Sequence, residues 1–395
     1  MLPSFDGALA FARELIRIPG LPGEEGSVAE RVIRELEALG FDEVWRDEIG
    51  NCYGLVRGRA SAPAIMLNCH LDAVDVGERS SWEHDPFDAE IADGFLHGRG
   101  AMDIKGPLAL QTHAAAAFLQ SRLAGDIIVA HTVLEERGGW GMEFLLEQRR
   151  VRPGAVIIGE ATNGDLCIGH RGRAEVVVEL QGVAGHASAP ERARNPIDLL
   201  PAVLPVLHRF ARALPSDDLL GRSTISPTAI ETLPRSRNVI PDRVRVILDW
   251  RVLPGVTPDA AVDAVKRALQ AEVAVPAGCA IDVRLSTELQ TAYTGRTRER
   301  KLLTPGFLIE PSHPIVRAAV TAIERSTGRT PALRPWAFAT DGGHAAGVHG
   351  IPCIGYAPGE ERYAHTNRER LELAQAKVIF ESYPEVIRAV SAAMS

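Results

Sequence analysis

Short, almost uninterrupted apolar runs recur in the first part of the chain, at residues 64–69, 127–134 and 156–159. Strands of a parallel sheet have this pattern when both faces are covered, because neither face meets water. Apolar positions three or four residues apart predict helices between and beyond these runs, at residues 8–18, 28–39, 107–123, 141–148, 314–325 and 371–393. The alternation predicts an α/β fold with a mostly parallel sheet and helices on both faces.

The pattern changes after Arg173. Strands are expected next at residues 175–181, 223–232, 243–251 and 280–285, with helices at 196–214 and 258–272. This β-α-β-β-α-β order is typical of a ferredoxin-like module, and the α/β pattern resumes with the run at 351–355. We therefore predict a catalytic domain in two parts, 1–173 and 289–395, with an inserted α+β ferredoxin-like dimerisation or lid domain at 174–288.

Length and composition narrow the class of protein. A chain of 395 residues is long for one hydrophobic core, which favours two domains. The net charge of −8, without a basic patch, argues against nucleic acid or an anionic membrane surface as a partner. Five scattered cysteines without a C-x-x-C pair suit a reducing cytoplasm. The N-terminus lacks signal-peptide features, and no apolar run approaches the roughly 18 residues of a membrane span, so a soluble protein is expected.

Side chains that bind metals or transfer protons follow each apolar run. His70 and Asp72 follow the first, Glu135 and Glu136 the second, and Glu160 the third. Open α/β sheets bind their ligands at the carboxyl ends of the strands, so these side chains are expected to converge. Two adjacent carboxylates that point in different directions allow one to hold a metal while the other handles a proton.

The donor types indicate a hydrolytic metal site. Oxygen and nitrogen donors without sulfur suit catalytic Zn²⁺, Co²⁺ or Mn²⁺ rather than a structural zinc. Asp103 lies in the glycine-rich segment 98–106 just before a helix, where one carboxylate can bridge two ions about 3.5–4 Å apart. His70 and Asp72 are two positions apart on a strand and share a face, so Asp72 is expected to accept the second N–H of His70.

Six motifs then resemble those of the dizinc aminoacylase and carboxypeptidase G family, which includes acetylornithine deacetylase and succinyl-diaminopimelate desuccinylase. The motifs occur in order at residues 70–72, 98–106, 135–136, 159–162, 182–188 and 364–367. Segments 188–192, 336–340 and 349–352 are most similar to a branch labelled a selenium-metabolism-linked hydrolase, a label that describes gene context rather than a substrate.

The resemblance implies two divalent metal ions per chain, with Zn²⁺ as the first expectation and Co²⁺ or Mn²⁺ as alternatives. One ion is expected on His70, Asp103 and Glu160. The other is expected on Asp103, Glu136 and His365. This ligand count leaves room for a water or hydroxide shared by the two ions, as a hydrolytic centre requires.

The resemblance also assigns roles to residues that do not bind metal. Glu135 is implied to be the general base on the shared water, and the Asp103–Ile104 peptide is implied to be cis. His186 of the inserted domain is implied to reach the partner subunit's site and stabilise an oxyanion, so a homodimer through that domain is expected. Asn238 and Arg251 match positions that bind the substrate's carboxylate, a task that suits a guanidinium.

Several residues also have ordinary explanations. Arg251 fits the exposed end of an alternating strand, and Asn238 fits a turn before Pro241. Asp341 has two interpretations, a residue that lines the site or a turn anchor, and the turn anchor is preferred. Most of the twelve histidines fit surface or core positions, and His186 stands apart because of its motif. A cysteine nucleophile is disfavoured because Cys69 and His70 occupy opposite faces of a strand.

Together the residues predict a two-metal amide hydrolase that removes an N-acyl group from an amino acid or a related amine-bearing acid. A dipeptidase or carboxypeptidase with the same centre is an alternative, because both reactions break an amide next to a carboxylate. A binding protein that retains the fold without catalysis is a further alternative, which the intact donor set disfavours.

Overall fold

A computed structural model describes residues 3–148 and 150–394 of the chain. The chain forms two compact units. Unit 1 comprises the residues up to His170 together with Gln290–Arg298 and the chain from Phe307 onward. Unit 2 comprises Arg171–Leu289 and Glu299–Gly306.

The helices and strands are numbered in chain order. The α-helices of the described residues are α1 (Phe5–Ile16), α2 (Gly26–Leu39), α3 (Lys105–Ala116), α4 (Trp140–Gln148), α5 (Leu200–Ala213), α6 (Pro258–Glu272), α7 (Pro314–Thr327) and α8 (Leu373–Ala392). The strands are β1 (Glu43–Arg46), β2 (Cys52–Val56), β3 (Ala64–His70), β4 (Ile91–Ala92), β5 (Phe95–His97), β6 (Ile127–Thr132), β7 (Pro153–Ile158), β8 (Leu166–His170), β9 (Gly172–Gln181), β10 (Gly185–His186), β11 (Ser216–Asp217), β12 (Gly221–Arg222), β13 (Thr224–Leu233), β14 (Val239–Ile240), β15 (Arg243–Val252), β16 (Ala280–Leu285), β17 (Thr287–Thr291), β18 (Thr297–Lys301), β19 (Leu303–Thr304), β20 (Phe307–Leu308), β21 (Leu333–Trp336), β22 (Cys353–Gly355) and β23 (Arg370–Glu372).

Unit 1 is built on a mixed sheet with the strand order β1-β2-β6-β3-β7-β22-β8-β20, in which β21 also pairs with β8. Its centre is parallel: β3 pairs with β6 and with β7, and β7 pairs with β22. Antiparallel pairs close both sides, between β2 and β6 and between β8 and β20. The predicted α/β class is confirmed, and its parallel part is this centre.

The central strands are apolar throughout because helices cover both faces of the sheet. On β3, Met66 packs in a cluster with Met142 and Leu145 of α4. The opposite face of β3 contacts α3, which is buried along its whole length and also packs against α1 and α8. This two-sided packing fixes the strand ends that carry the candidate site.

Unit 2 has the predicted ferredoxin-like β-α-β-β-α-β arrangement. Its sheet has the order β13-β15-β9-β16 with antiparallel pairs, and β19 adds to β9. Buried positions alternate along β15, and α5 and α6 bury their apolar side chains against that face. The other face carries ion pairs such as Glu179 with Arg245, whose nitrogen and oxygen lie 2.7 Å apart.

Some elements differ from the sequence-based expectation. Strands β1, β2, β8 and β21 were not predicted, because they are short and two of them contain or adjoin glycine. The apolar run 127–134 leaves the sheet after Thr132, since Leu134 has a left-handed φ of 57°. Among the described residues, no helix combines the length and the hydrophobicity that crossing a bilayer requires.

Candidate metal centre

Three parallel strands of unit 1 end at one edge of the sheet and carry candidate donors there. His70 is the last residue of β3 and lies beside Thr132 at the end of β6. Glu135 and Glu136 follow β6, and Glu160 follows β7 by two residues. The chain therefore folds so that residues distant in sequence meet at the carboxyl ends of neighbouring strands, as expected.

A first donor group surrounds His70, which is buried. Its Nε2 lies 3.2 Å from Oδ1 of Asp103 and 3.3 Å from Oε1 of Glu160. A second group surrounds His365, whose Nε2 lies 3.2 Å from Oδ2 of Asp103 and 3.0 Å from Oε1 of Glu136. The two oxygens of Asp103 thus face different histidines, which is the arrangement of a carboxylate shared by two ions.

The loop that carries Asp103 is held by Glu369. Its Oε1 accepts the backbone N–H groups of Met102 and Asp103, each at 3.1 Å, and its Oε2 accepts from Arg99 at 2.6 Å. The Asp103–Ile104 peptide is cis, as the motif resemblance implied. Sequence reasoning missed Glu369, whose only signal is its place four positions after His365.

Glu135 and Glu136 belong to two different groups of neighbouring donor atoms. Donor atoms of His70, Asp103 and Glu136 lie within 4.8 Å of one another, and so do those of His70, Glu135 and Glu160. Desolvation at the site raises the pKa of Glu135 well above its usual range, and the Glu160 and Asp341 carboxylates add to the rise. Glu135 thus lies beside the donors with a carboxyl group that readily accepts a proton.

The donor set fits divalent cations. Burial and the charge of Asp103 raise the pKa of Glu160 to about 7, because two carboxylates lie close together. Hydrogen bonds to Asp103 and Glu136 raise the pKa of His365 to about 10. Clustered acids of this kind need positive charge between them, and imidazole and carboxylate are suitable ligands for Zn²⁺ and similar ions.

Asp72 does not act on His70 in the expected way. The backbone carbonyl of Asp72 lies 2.9 Å from Nδ1 of His70, whereas its carboxylate oxygen lies at 3.5 Å. The carboxylate instead accepts the N–H groups of Glu135 at 3.1 Å and Glu136 at 3.0 Å. Asp72 therefore orients His70 through its main chain and the two glutamates through its side chain.

Asp341 does more than anchor a turn. Its buried Oδ2 accepts from the Thr132 hydroxyl at 2.6 Å and from the Asn68 amide at 3.5 Å, next to the ends of β6 and β3. Burial raises the pKa of Asp341 to about 6. The interpretation as a turn residue was incomplete because the partners are far away in sequence, and Asp341 also helps to hold the two strand ends together.

A cavity of about 260 Å³ opens onto the donors in unit 1. Asp103, Glu135, Glu136, Glu160 and His365 line one side of it. The remaining lining residues are Phe338, Ala339, Glu361 and Ala364.

The predicted residues of unit 2 divide into two places. His186 is exposed, and its Nδ1 accepts from the Ser188 hydroxyl at 2.7 Å. Asn238 lies nearby, since β10 pairs with β14 and the Ala187 N–H donates to the Asn238 carbonyl at 3.1 Å. Arg251 lies near the C-terminal end of β15, far from Asn238, and is the register partner of Arg173 on β9. Its side chain forms an ion pair with Asp249 at 2.9 Å. The two predicted substrate-binding residues are therefore not adjacent within this unit.

Comparison with known proteins agrees with this geometry. Residues 66–389 match the model of peptidase family M20/M25/M40. The chain belongs to this family. It is 34% identical over 350 residues to succinyl-diaminopimelate desuccinylase of Methylorubrum extorquens, which covers 82% of this chain and 84% of that protein. It is 32% identical over 364 residues to protein YgeY of Escherichia coli, with 91% and 88% covered.

A solved structure shares the fold. Aminopeptidase PepT from Bacillus cereus matches with a TM-score of 0.73 at 21% identity, covering 98% of this chain and 99% of that one. The motif resemblance is confirmed by the match to the M20 family. This member of the family is accordingly a metal-dependent hydrolase that acts on amide bonds.

Proposed function

We propose that this M20 hydrolase is a two-metal enzyme that removes an N-acyl group from an amino acid or a related amine-bearing acid, with Glu135 as general base. The shared Asp103 supports this proposal most directly. Its Oδ1 is 3.2 Å from His70 Nε2, and its Oδ2 is 3.2 Å from His365 Nε2. A single-metal site has no need for a carboxylate placed between two donor groups.

One cation would be held by His70, Asp103 and Glu160, and the other by Asp103, Glu136 and His365. Such cations would polarise the amide carbonyl and lower the pKa of a water molecule, as in other two-metal hydrolases. Zn²⁺ is proposed first, with Co²⁺ or Mn²⁺ as alternatives, because the donors are nitrogen and oxygen.

Glu135 performs the proton transfers in this proposal. Its carboxylate takes a proton from the water that attacks the amide carbonyl and returns that proton to the leaving nitrogen. Asp72 orients Glu135 by accepting its backbone N–H at 3.1 Å. Positive charge bound at the centre would lower the pKa of Glu135, which allows it to be ionised before the attack.

We also propose a homodimer in which His186 of the partner subunit completes the site by stabilising the oxyanion. Strand β13 is an edge of the unit 2 sheet, ten residues long, with Ile230 half exposed on it. Unpaired strand edges of this length are ready to pair with another chain. Asn238 and Arg251 remain the proposed carboxylate-binding residues, and their separation within unit 2 would allow them to contribute to two different sites.

A location in the reducing cytoplasm remains a prediction. It is supported by the five cysteines, all of which are free thiols, and four of which are buried.

Deacylation is preferred to peptide hydrolysis because the desuccinylase relative exceeds 30% identity over most of both chains, whereas the aminopeptidase shares only the fold. The deciding experiment offers N-acetyl, N-succinyl and N-carbamoyl amino acids and dipeptides to the Zn²⁺- or Co²⁺-loaded protein, with released amine measured and products identified by mass spectrometry. Turnover of N-acyl amino acids alone is expected. Turnover of dipeptides alone would instead establish a dipeptidase.

The role of Glu135 is tested with Glu135→Gln, which removes the proton acceptor and keeps the size. We expect two metal ions per chain, as in the parent, and a kcat lower by about 10²–10⁴-fold, the usual contribution of a general base. Glu37→Gln on the exposed face of α2 is the control and should match the parent. An unchanged kcat in Glu135→Gln would refute the assignment.

A further inference from the structure

The segment 133–136, which links β6 to the glutamates of the centre, has an unusual set of hydrogen bonds. Each of its four successive backbone N–H groups donates to a side-chain oxygen rather than to the backbone. The acceptors are Asn51 Oδ1 for Val133 at 2.9 Å, Glu25 Oε1 for Leu134 at 3.0 Å, and the two carboxylate oxygens of Asp72 for Glu135 at 3.1 Å and Glu136 at 3.0 Å.

These side chains determine the path of the segment. The chain leaves the sheet after Thr132, so the following N–H groups lose their strand partners. Leu134 adopts a left-handed φ of 57°, a conformation that a leucine rarely takes without outside support. A buried N–H left without an acceptor is destabilising, so removing an acceptor favours a different path for the segment.

Burial and hydrogen bonds hold the side chains of Glu25 and Asn51 in fixed positions. Glu25 is fully buried where α2 begins and reaches Leu134 across 109 positions of sequence. Asn51 is also fully buried, and its Nδ2 donates to the Gly141 carbonyl at 3.0 Å and to Asp47 at 2.7 Å. Those donations leave Oδ1 of Asn51 directed at the segment.

We propose that Glu25 and Asn51 are positioning residues that fix the direction of the Glu135 and Glu136 side chains by holding the two residues before them. Asp72 holds the glutamates' own N–H groups, while Glu25 and Asn51 set the left-handed turn from which both side chains project. The inference rests on the proposed function, in which Glu136 binds a metal and Glu135 transfers the proton.

A purely structural role of Glu25 would predict a different effect on kcat and metal affinity. If Glu25 only helped the domain to fold, its loss would lower the melting temperature and leave kcat and metal affinity unchanged. If it positions the glutamates, its loss lowers both in a protein that remains folded, since residues that support metal ligands typically contribute 10–100-fold in affinity or activity.

The test compares Glu25→Leu, which has no acceptor, with Glu25→Gln, which keeps a carbonyl oxygen for the Leu134 N–H. We expect Glu25→Leu to lower kcat about 10–100-fold with KM within about threefold, and to weaken metal binding similarly in chelator competition. Glu25→Gln should recover most of both. Exposed Glu24 gives the matched control, Glu24→Leu, which should behave as the parent.

Hydrogen exchange supplies a readout that needs no substrate. The peptide that contains residues 133–136 should exchange faster in metal-loaded Glu25→Leu than in the parent, while peptides of unit 2 stay unchanged. Glu25→Asp, which withdraws the acceptor by one methylene and keeps the charge, gives the same test if the leucine variant does not fold.

Parent-like exchange, metal affinity and kcat in Glu25→Leu would overturn the proposal, as would equal losses in Glu25→Leu and Glu25→Gln. Failure of the proposed function would look different. In that case Glu135→Gln would retain turnover, whereas the exchange and the chelator competition would still report on Glu25.

Discussion

Asp103 belongs to both donor groups, and its position is fixed by the buried ion pair between Glu369 and Arg99. Glu369 binds the backbone of the Asp103 loop with one oxygen and Arg99 with the other. Both members of the pair are almost fully buried. Losing either one leaves the other as an unpaired buried charge, which is costly.

Replacing this glutamate, Glu369→Ala, is therefore expected to affect both stability and metal binding. The free energy of unfolding should fall by about 3–5 kcal/mol, as for other broken buried pairs, measured by urea denaturation. Metal affinity, measured by chelator competition, should fall about 10–100-fold because the Asp103 loop loses its anchor.

The control is Glu381→Ala on the exposed face of α8, which should change neither quantity. Metal affinity equal to the parent's in Glu369→Ala would show that the loop holds Asp103 without Glu369.

Sequence reasoning reached some site residues and not others for a physical reason. Four residues of the candidate site could be predicted because each one ends or follows an apolar run that forms a strand. They are His70, Glu135, Glu136 and Glu160. Asp341 and Glu369 lack such a signal: their contacts with Thr132 and Asp103 span 209 and 266 positions and arise only when the chain folds. Each of these two residues forms hydrogen bonds with a residue that is close in the fold but distant in the sequence, and the sequence alone does not show such contacts.

Among the elements, β6 places a histidine in the interior of unit 1. His131 is fully buried, and its Nε2 lies 2.9 Å from the Thr112 hydroxyl of α3. Burial lowers its pKa to about 3. The folded protein therefore keeps His131 neutral in a range of pH where the unfolded chain protonates it.

This difference predicts a pH-dependent stability. Because the pKa of His131 is lower in the folded state, its contribution is fully present above pH 6.5 and is lost as pH falls towards 3, by about 1.4 kcal/mol per unit. His131→Gln should therefore lose less stability than the parent between pH 6.5 and 4.5, measured by urea denaturation with a chelator present.

His208→Gln on the exposed part of α5 is the control and should follow the parent's pH dependence. Identical slopes for the parent and His131→Gln would contradict the prediction.

The elements themselves were predictable where their patterns are long. The apolar runs of β3, β6 and β7 and the alternation of β15 each reflect a fixed pattern of burial. Strands such as β1 and β21 have only four residues, so their apolar positions do not establish a period. Their pairing depends on the neighbouring strand, as β21 depends on β8.

At the scale of the whole molecule, the proposed homodimer connects the edge of unit 2 with catalysis. Ile230→Lys places a charge on β13, where Ile230 is 50% exposed. Charges on edge strands oppose pairing with another chain. We expect the variant to sediment as a monomer and to lose turnover, because His186 of the partner subunit is no longer supplied.

Val378→Lys is the matched control, since Val378 is 48% exposed on α8 of unit 1. It should remain dimeric and active. A fully active monomer in Ile230→Lys would exclude the contribution of the partner's His186.

The proposed metal donors are spread widely along the chain, which determines the order in which they are synthesised. The first donor, His70, precedes unit 2 in the chain, and the last, His365, follows it. All of unit 2 is therefore synthesised before His365, the last proposed donor of the second group, is added to the chain. A nascent chain that ends before residue 365 carries the other proposed donors but lacks this histidine, so the proposed second group becomes complete only near the end of translation.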